Sequence, residues 1–515
     1  MNDGAKGSDL TTVGIVGAGV MGRGIAQVAG ECGMTVLLAD AQPQAVSEAI
    51  KACAGMIRRK ISKGQLGSAE GEAAIARIVP TAASPSGGYA DFASCDLVIE
   101  AVVERMDVKH AVLAGVEEAV RDDCIIATNT SSLSVTGFAA RARSPGRVAG
   151  FHFFNPVPLM KIVEVVGGEL TDERALERLC DVARRMGHVP VRATDTPGFL
   201  VNHAGRAFGT AALRIVSEGI ATFADVDRVM TQSAGFRMGP FELLDLTGLD
   251  VSHDVMESIY HQYYEEPRYR PVAFAARRRT AGLFGRKTGR GFYLYADGRQ
   301  EKPSEEAPPS LDLLSVSVWV SQRYAEAGDA IAGIVRASGA RIDTEKRPSP
   351  DSVILLTPFG EDTTTAALAE GHDPSRAIAV DCLTPLSRRR TIMRTPITRP
   401  DIVATAWALF AADGSAVTVI RDSPGFIAQR ILAAIVNIGS DVAQQRVATP
   451  ADIDRAVELG LGYPKGPLGL GDELGARRVL DTLAAMHAFY GDPRYRASPW
   501  LKRRALLGVS LLCDD

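Results

Sequence analysis

Residues 11–40 read TTVGIVGAGVMGRGIAQVAGECGMTVLLAD, and the order of residue types in this stretch decides how the first part of the chain folds. Thr12 to Val16 is an apolar, β-prone run, and the turn GAGVMG places Gly17, Gly19 and Gly22 in a G-x-G-x-x-G pattern. A helix is predicted from about Met21 to Cys32, and Thr35 to Ala39 is a second β-prone run closed by Asp40. Glycines at these spacings permit a tight turn, close approach of backbone to a pyrophosphate, and close packing of helix on strand. The phosphates then lie at the helix N-terminus, where unpaired N–H groups and the helix dipole favour an anion. A strand, this turn, a helix and an acidic residue ending the next strand together predict a dinucleotide site. Asp40 accepts hydrogen bonds from ribose hydroxyls and repels a 2′-phosphate, so the pattern favours NAD over NADP.

Working outward, DLVIEAVVE (96–104), CIIATNTSS (124–132) and RVAGFHFF (147–154) each read as a short apolar strand. In an open parallel sheet ligands bind beyond the carboxyl ends of the strands, which puts Glu104, Asn129, Ser131, Ser132 and His152 where cofactor or substrate would lie. His152 sits inside GFHFFNPVPLMKIVEVV (150–166), which also carries Glu164 after a turn containing Pro156 and Pro158. Oxidising a secondary alcohol requires a base for the hydroxyl proton, and imidazole, with an ordinary pKa near ~6.5, suits that task near neutral pH. A carboxylate on the far ring nitrogen fixes the tautomer and stabilises the imidazolium, a role open to Glu164 if its strand folds back beside His152. Residues 45–80 form an insertion: a helix followed by a basic stretch, Arg58, Arg59, Lys60 and Lys63. That stretch is either a phosphate-holding arm or a solvated face.

The chain of 515 residues is too long for one core and should divide into three or four domains. Hydrophobic content of 46% with 23% charged residues is that of a soluble globular protein, and no apolar stretch approaches the ~18 residues of a membrane span. The short polar start MNDGAKGSDL has neither an apolar core nor an arginine-rich pattern, so a cytoplasmic location is expected. Net charge of −4, with both signs interspersed, gives no footprint for nucleic acid. The seven cysteines are scattered without a CxxC or a nearby histidine at ligand spacing, so no metal site is expected and the thiols read as reduced and structural.

Taken in order, GxGxxG, NTSSL (129–133), GFHFFNPVPLMKIVEVV, DTPGFLVN (195–202), GPFELLDLTGLD (239–250) and KTGRGFYLY (287–295) resemble the 3-hydroxyacyl-CoA dehydrogenase family. The resemblance covers residues 12 to about 295. It implies NAD-dependent oxidation of a (S)-3-hydroxyacyl-CoA, with His152 as catalytic base, Glu164 its partner, and Ser131 and Asn202 contacting substrate. Cofactor contacts would fall on Gly17, Gly19, Val20, Met21, Gly22, Asp40, Glu104, Lys109, Ser131, Asn155 and Lys287, with Asn129 added by its place at a strand end. The acyl-CoA would lie against the arm containing Lys60 and Lys63. The long, two-copy form resembles enzymes of phenylacetate and fatty-acid degradation, with 3-hydroxybutyryl-CoA or 3-hydroxyadipyl-CoA as substrate. A dicarboxylic substrate would need a cation, for which Arg206, Arg214 and Arg237 are candidates. The alternatives are a β-hydroxyacid dehydrogenase acting on a free acid, or a non-catalytic NAD-binding relative.

The second half of the chain repeats part of the first. DTPGFLVN recurs as DSPGFIAQ (422–429), ADVDRVM (224–230) as ADIDRAV (451–457) and GFRMGP (235–240) as GYPKGP (462–467), each 227 positions on. SPGRVAGFHFFNPVP (144–158) aligns with DPSRAIAVDCLTPLS (373–387) at a spacing of 229, which sets His152 against Asp381 and Glu164 against Met393, while the spacing of 227 sets Asn202 against Gln429. No GxGxxG occurs between 298 and 421. The expected organisation is therefore an α/β Rossmann-type domain (1–190), a helical substrate and dimerisation domain (191–297), a linker (298–315), a degenerate, shortened α/β segment (316–420) and a second helical domain (421–515). One active site per chain is expected, with the two helical domains packed as an intrachain pseudo-dimer and a homo-oligomer open.

Overall fold

The computed structural model describes residues 10–82 and 88–514; the stretch Met1 to Asp9, read above for targeting signals, lies outside them. The chain divides into two compact units, Met1–His203 with Gln445–Leu461, and Ala204–Gln444 with Gly462–Asp515.

The first unit is built on strands β1 (Thr12–Val16), β2 (Thr35–Ala39), β3 (Ile78–Pro80), β4 (Leu97–Glu100), β5 (Ile125–Thr128), β6 (Val148–Phe153), β7 (Ile162–Gly167) and β8 (Val189–Thr194). Their order across the sheet is β3-β2-β1-β4-β5-β6-β7-β8, parallel throughout except for the antiparallel step from β6 to β7. Helices α1 (Val20–Glu31), α2 (Pro43–Ser62), α3 (Ser68–Ala76), α4 (Met106–Ala119), α5 (Val135–Ala139) and α6 (Glu173–Arg185) connect the strands, and a short α7 (Val201–Ala204) follows them. Because crossover helices cover both faces, the central strands are apolar on both sides. One core lies among α1, α2, α6 and the sheet, and another beneath α4 and α5. The strand order turns around at β1, so a crevice opens beyond the carboxyl ends of β1 and β4.

The first two strands run as the sequence predicts, and α1 begins at Val20. Two local readings change. Arg58, Arg59 and Lys60 do not follow a helix but lie within it, Arg59 and Lys60 in its last turn, where cations complement the helix dipole; a second helix and the edge strand β3 come after. Strand β8 passes the expected boundary at 190 and runs to Thr194, paired with β7 along its full length.

The second unit opens with α8 (Arg206–Ser217), α9 (Phe223–Arg228), α10 (Pro240–Thr247), α11 (Leu249–Gln262) and α12 (Ala273–Thr280), followed by the hairpin β9 (Leu294–Ala296) and β10 (Arg299–Glu301). Thr222 caps α9 by accepting from the Asp225 amide, and Pro240 starts α10, where its missing N–H costs nothing. A second α/β layer comprises β11 (Ser317–Val320), α13 (Ala325–Ala337), β12 (Arg341–Ile342), β13 (Val353–Leu356), α14 (Thr363–Ala369), β14 (Ala377–Val380), β15 (Arg390–Arg394), α15 (Pro400–Ala411) and β16 (Val417–Arg421). Its sheet order is β12-β11-β13-β14-β15-β16, with one antiparallel step, β14 to β15. The final four strands thus repeat β5 to β8, while the nucleotide-binding half has shrunk to β11, α13 and β12. Helix α16 (Ala428–Gln444) leads to α17 (Pro450–Leu461), which belongs to the first unit rather than to the second helical domain. Helices α18 (Pro467–Leu474), α19 (Ala476–Tyr490) and α20 (Pro499–Leu507) complete the second.

The repeat is visible as reciprocal contacts. In the first unit Thr194 N donates to Val447 O at 2.9 Å, and in the second Arg421 N donates to Ile220 O at 3.1 Å. Thr194 and Arg421, like Ile220 and Val447, stand 227 positions apart, so one contact is the other with the copies exchanged. Within the second unit α8 packs on its counterpart α16, and Pro267–Tyr269 on Pro493–Tyr495, as in an isologous interface. The buried Arg430 secures that packing through Glu218 at 2.8 Å and the Tyr495 hydroxyl at 2.9 Å. No helix among the described residues is long and apolar enough to cross a membrane.

Candidate active site

The antiparallel hairpin of β6 and β7 sets His152 directly opposite Glu164. Their side chains meet: His152 Nδ1 and Glu164 Oε2 are 2.5 Å apart, with the carboxylate fully buried and the imidazole 5% exposed. Glu164 Oε1 accepts from the amides of Leu200, at 3.0 Å, and Val201, at 2.7 Å. These amides are delivered by the DTPGF turn, in which Gly198 and Phe199 both have positive φ, 78° and 48°. The carboxylate is therefore held on three sides and oriented at the ring. Phe154 and Phe199 flank the imidazole, their centroids 4.5 and 5.8 Å from it. Among the described residues no group hydrogen-bonds Nε2.

His188 provides the contrast within the same unit. It is equally buried, but Nδ1 faces Met186 O at 2.9 Å and Nε2 faces Val157 O at 3.0 Å. Both of its nitrogens are spent on backbone, as a core histidine's are; those of His152 are not.

Beside the hairpin, the NTSSL loop is clamped by Glu104. Its Oε1 accepts from the Thr130 hydroxyl (2.6 Å), the Ser131 amide (3.0 Å), and the Ser132 amide (3.1 Å) and hydroxyl (2.9 Å). Burial alone would raise the Glu104 pKa, but the Thr130 hydroxyl, the charge of Lys109 and the serine contacts outweigh it and hold the group below its ordinary value. Lys109 is almost wholly buried, with Nζ 2.9 Å from each Glu100 oxygen and 3.2 Å from Glu104 Oε2. Three acceptors use its three donors, so in this structure Lys109 positions Glu104 instead of presenting an ammonium to cofactor. Asn129 is likewise committed: its Oδ1 accepts from Phe153 N at 2.9 Å and pins the end of β6 next to His152. Ser131 is exposed at the loop, and Asn202 follows directly on Val201.

The glycine turn fits a dinucleotide. A Cβ on Gly22 would lie 1.8 Å from Gly17 O, so the helix packs on the strand turn as only glycine allows, while a Cβ on Gly19 would meet nothing within 4 Å, leaving open space over the helix N-terminus. Asp40, at the end of β2, accepts from Ala18 N at 2.8 Å and Gln42 N at 2.9 Å, which fixes it beside the turn with part of its surface exposed. Asn155 is exposed in the turn after β6. Lys287 lies in the second unit, paired with Asp250 at 2.6 Å. Lys60 is paired with Glu31 at 2.6 Å and Arg58 with Glu72 at 2.9 Å; Lys63 is exposed at the end of α2.

Sequence reasoning did not single out three groups that organise the site: Glu100, the main partner of Lys109; the Leu200 and Val201 amides; and Asp195. The Asp195 carboxylate accepts from the Ser134 hydroxyl and the Thr136 amide, both at 2.7 Å, and from the Val135 amide at 3.0 Å, tying the start of α5 to the DTPGF turn. The recurrence of DTPGF as DSPGF was the available signal, and Asp422 indeed makes the same bonds to Thr363 N, at 2.8 Å, and Thr364 N, at 3.2 Å.

In the second copy the position of His152 is filled differently. Asp381 takes the place of His152, but the residue opposite it is Thr391, whose carbonyl accepts from Asp381 N at 3.0 Å. The expected match of Glu164 with Met393 is thus corrected: the second hairpin is shorter, which moves the register. Asp381 Oδ1 accepts from Gln429 Nε2 at 3.0 Å, and Gln429 is held further by Pro358 O at 3.1 Å and Gly360 N at 2.8 Å.

A doubly wound sheet with a nucleotide turn and a buried His–Glu pair at a strand end defines a dinucleotide-dependent oxidoreductase. The family models give its kind: residues 12–196 match the 3-hydroxyacyl-CoA dehydrogenase NAD binding domain, and residues 198–295 and 425–510 each match the C-terminal domain of the same family. The chain belongs to the 3-hydroxyacyl-CoA dehydrogenase family. It is 34% identical over 499 residues to 3-hydroxyadipyl-CoA dehydrogenase of Escherichia coli K12, covering 97% of this chain and 98% of that one. It is 36% identical over 293 residues to human mitochondrial hydroxyacyl-coenzyme A dehydrogenase, covering 56% of this chain and 93% of the relative. The crystal structure of 3-hydroxybutyryl-CoA dehydrogenase from E. coli K12 substr. MG1655 superposes with a TM-score of 0.83 at 32% identity, covering 97% and 99% of the two chains.

Proposed function

We propose that this NAD-dependent 3-hydroxyacyl-CoA dehydrogenase acts on a short or dicarboxylic acyl chain, 3-hydroxybutyryl-CoA or 3-hydroxyadipyl-CoA, with His152 as its base. The observation that carries the reading is the 2.5 Å contact of His152 Nδ1 with a Glu164 carboxylate that two backbone amides hold in place. A ring that donates from Nδ1 keeps its lone pair on Nε2, and that nitrogen takes the proton of the substrate hydroxyl. Glu164 stabilises the imidazolium as it forms. Ser131 and Asn202 donate hydrogen bonds to the reacting oxygen; in the reverse direction they and protonated His152 polarise the ketone. When bound, NAD supplies the hydride acceptor, held by Gly17 to Gly22 and Asp40. Of the other expected contacts, Glu104, Lys109 and Asn129 keep the loop and strand ends in register, and Asn155 borders the crevice. Lys63, with Lys60 if it exchanges Glu31 for phosphate, would meet the CoA.

Among the arginines considered for a distal substrate carboxylate, Arg214 is committed to Glu218 at 2.7 Å and Asp492 at 2.9 Å. Replacing Arg206 or Arg237 tests whether either sets chain preference. The test follows NADH absorbance with acetoacetyl-CoA, free acetoacetate and the 3-oxoadipyl thioester, with NADPH as cofactor control. Turnover of the thioesters supports the reading, and their kcat/KM ratio selects the chain. Turnover of free acetoacetate alone would make the protein a free-acid dehydrogenase, and no turnover a non-catalytic relative.

A further inference from the structure

We infer that residues 445–461, which belong by sequence to the second copy, form a positioning element of the active site, acting through Gly460 and Val201. The inference rests on His152 and Glu164 being the catalytic pair. The segment enters the first unit at Val447, whose carbonyl accepts from Thr194 N at 2.9 Å, one residue before the Asp195 that anchors the DTPGF turn. It then runs as α17 against β7 and β8. Near its end Gly460 packs on Val201: a Cβ at position 460 would lie 2.9 and 3.1 Å from the two Val201 methyls, closer than side-chain carbons ordinarily approach. Val201 is 1% exposed and cannot retreat into solvent, and its amide is the 2.7 Å donor to Glu164 Oε1. One side chain and one carboxylate therefore separate α17 from the imidazole.

Glycine is a poor helix former, and its presence inside α17 is accounted for by this close approach. The first copy supplies a comparison. There the position equivalent to Gly460 is Ser233, whose hydroxyl donates to Arg389 O at 2.9 Å, and the counterpart of Val201 is Ala428. Where no catalytic carboxylate has to be held, the glycine against valine arrangement is absent.

A methyl added at 460 should push Val201 and draw its amide from Glu164, so that the carboxylate no longer stabilises the imidazolium fully. The expected result for Gly460→Ala is a loss of roughly 10-fold in kcat, with KM for NADH and acetoacetyl-CoA within about twofold, and an acid limb of the pH profile for alcohol oxidation moved to lower pH. Val201→Ile, which enlarges the contact from the other side, should do the same, and the double variant Gly460→Ala/Val201→Ala should recover kcat and the profile. A folded Gly460→Ala with wild-type kcat and pH profile overturns the inference, as does a loss that Val201→Ala fails to restore. If Gly460→Ala does not fold, Val201→Ile decides by the same readouts. Failure of the catalytic pair itself is distinguishable, because His152→Ala would then retain activity, whereas failure of this inference alone leaves that variant inactive.

Discussion

The two copies of the hairpin and its neighbouring turn hold the same backbone around different chemistry. Phe199 and Phe426 share a left-handed φ, 48° and 49°, each after a glycine at 78° and 83°. Asp195 accepts from the amides that open α5, and Asp422 from those that open α14. Yet His152 faces Glu164 in one copy and Asp381 faces Thr391 in the other, with Gln429 occupying the position of Asn202. What both retain is what the fold requires; what only the first retains is the pair proposed to carry the reaction. Asp195 and the strained turn thus fall on the structural side of that division, and His152 and Glu164, in the function proposed above, on the other.

The sharpest way to break the comparison is to remove the two aligned residues in turn. His152→Ala should cost roughly 10²- to 10⁴-fold in turnover of acetoacetyl-CoA with NADH binding retained, as for loss of a general base, while Asp381→Ala stays within about twofold of wild type. Equal losses in the two variants would return His152 to the core.

A smaller effect separates the copies by pH. Burial pushes the Asp381 carboxyl up to about 6, against the lowering pull of the Leu383 amide and Gln429, and its Oδ2 is buried with no hydrogen-bond partner among the described residues. A carboxyl whose folded pKa exceeds its unfolded value stabilises the fold below the unfolded pKa and loses that contribution as pH rises through the folded one. A shift of about two pKa units corresponds to about 3 kcal/mol, lost between about pH 4 and 6. Asp381→Asn should therefore gain more in Tm relative to wild type at pH 8 than at pH 5; an equal gain at both would mean that the carboxyl does not titrate there.

Smaller again, Asp195→Ala and Asp422→Ala should each cost about 1 kcal/mol as lost helix caps, read by denaturant melts. Only Asp195→Ala should also lower kcat, since its turn carries the amides on Glu164. Last, Asp381→His combined with Thr391→Glu should leave NADH stoichiometry at one per chain in equilibrium titration. A second bound NADH would mean that the shortened β11–α13–β12 unit still forms a dinucleotide crevice.

Much of this was legible in the sequence, for local reasons. The glycine turn, β1, β2 and Asp40 follow from short-range pattern, and the pairing of His152 with Glu164 follows from two prolines between apolar runs. What the sequence withheld was register and partnership. Lys109 reads as a cofactor cation until its three glutamate oxygens are seen, and Lys60 reads as a free arm until Glu31 closes on it. Met393 aligned with Glu164 because identity across the repeat says nothing about a hairpin shortened between two strands. The membership of α17 in the first unit was out of reach, since ADIDRAV carries only the pattern of an amphipathic helix and no mark of which surface receives it.

The bond from Thr194 to Val447 links two copies of one motif along a single chain. In an assembly of separate chains such a contact would loosen on dilution; here mass action has no hold on it, because its local concentration is set by the connecting polypeptide. Specific activity measured at nanomolar enzyme should accordingly match that at micromolar as far as this contact is concerned.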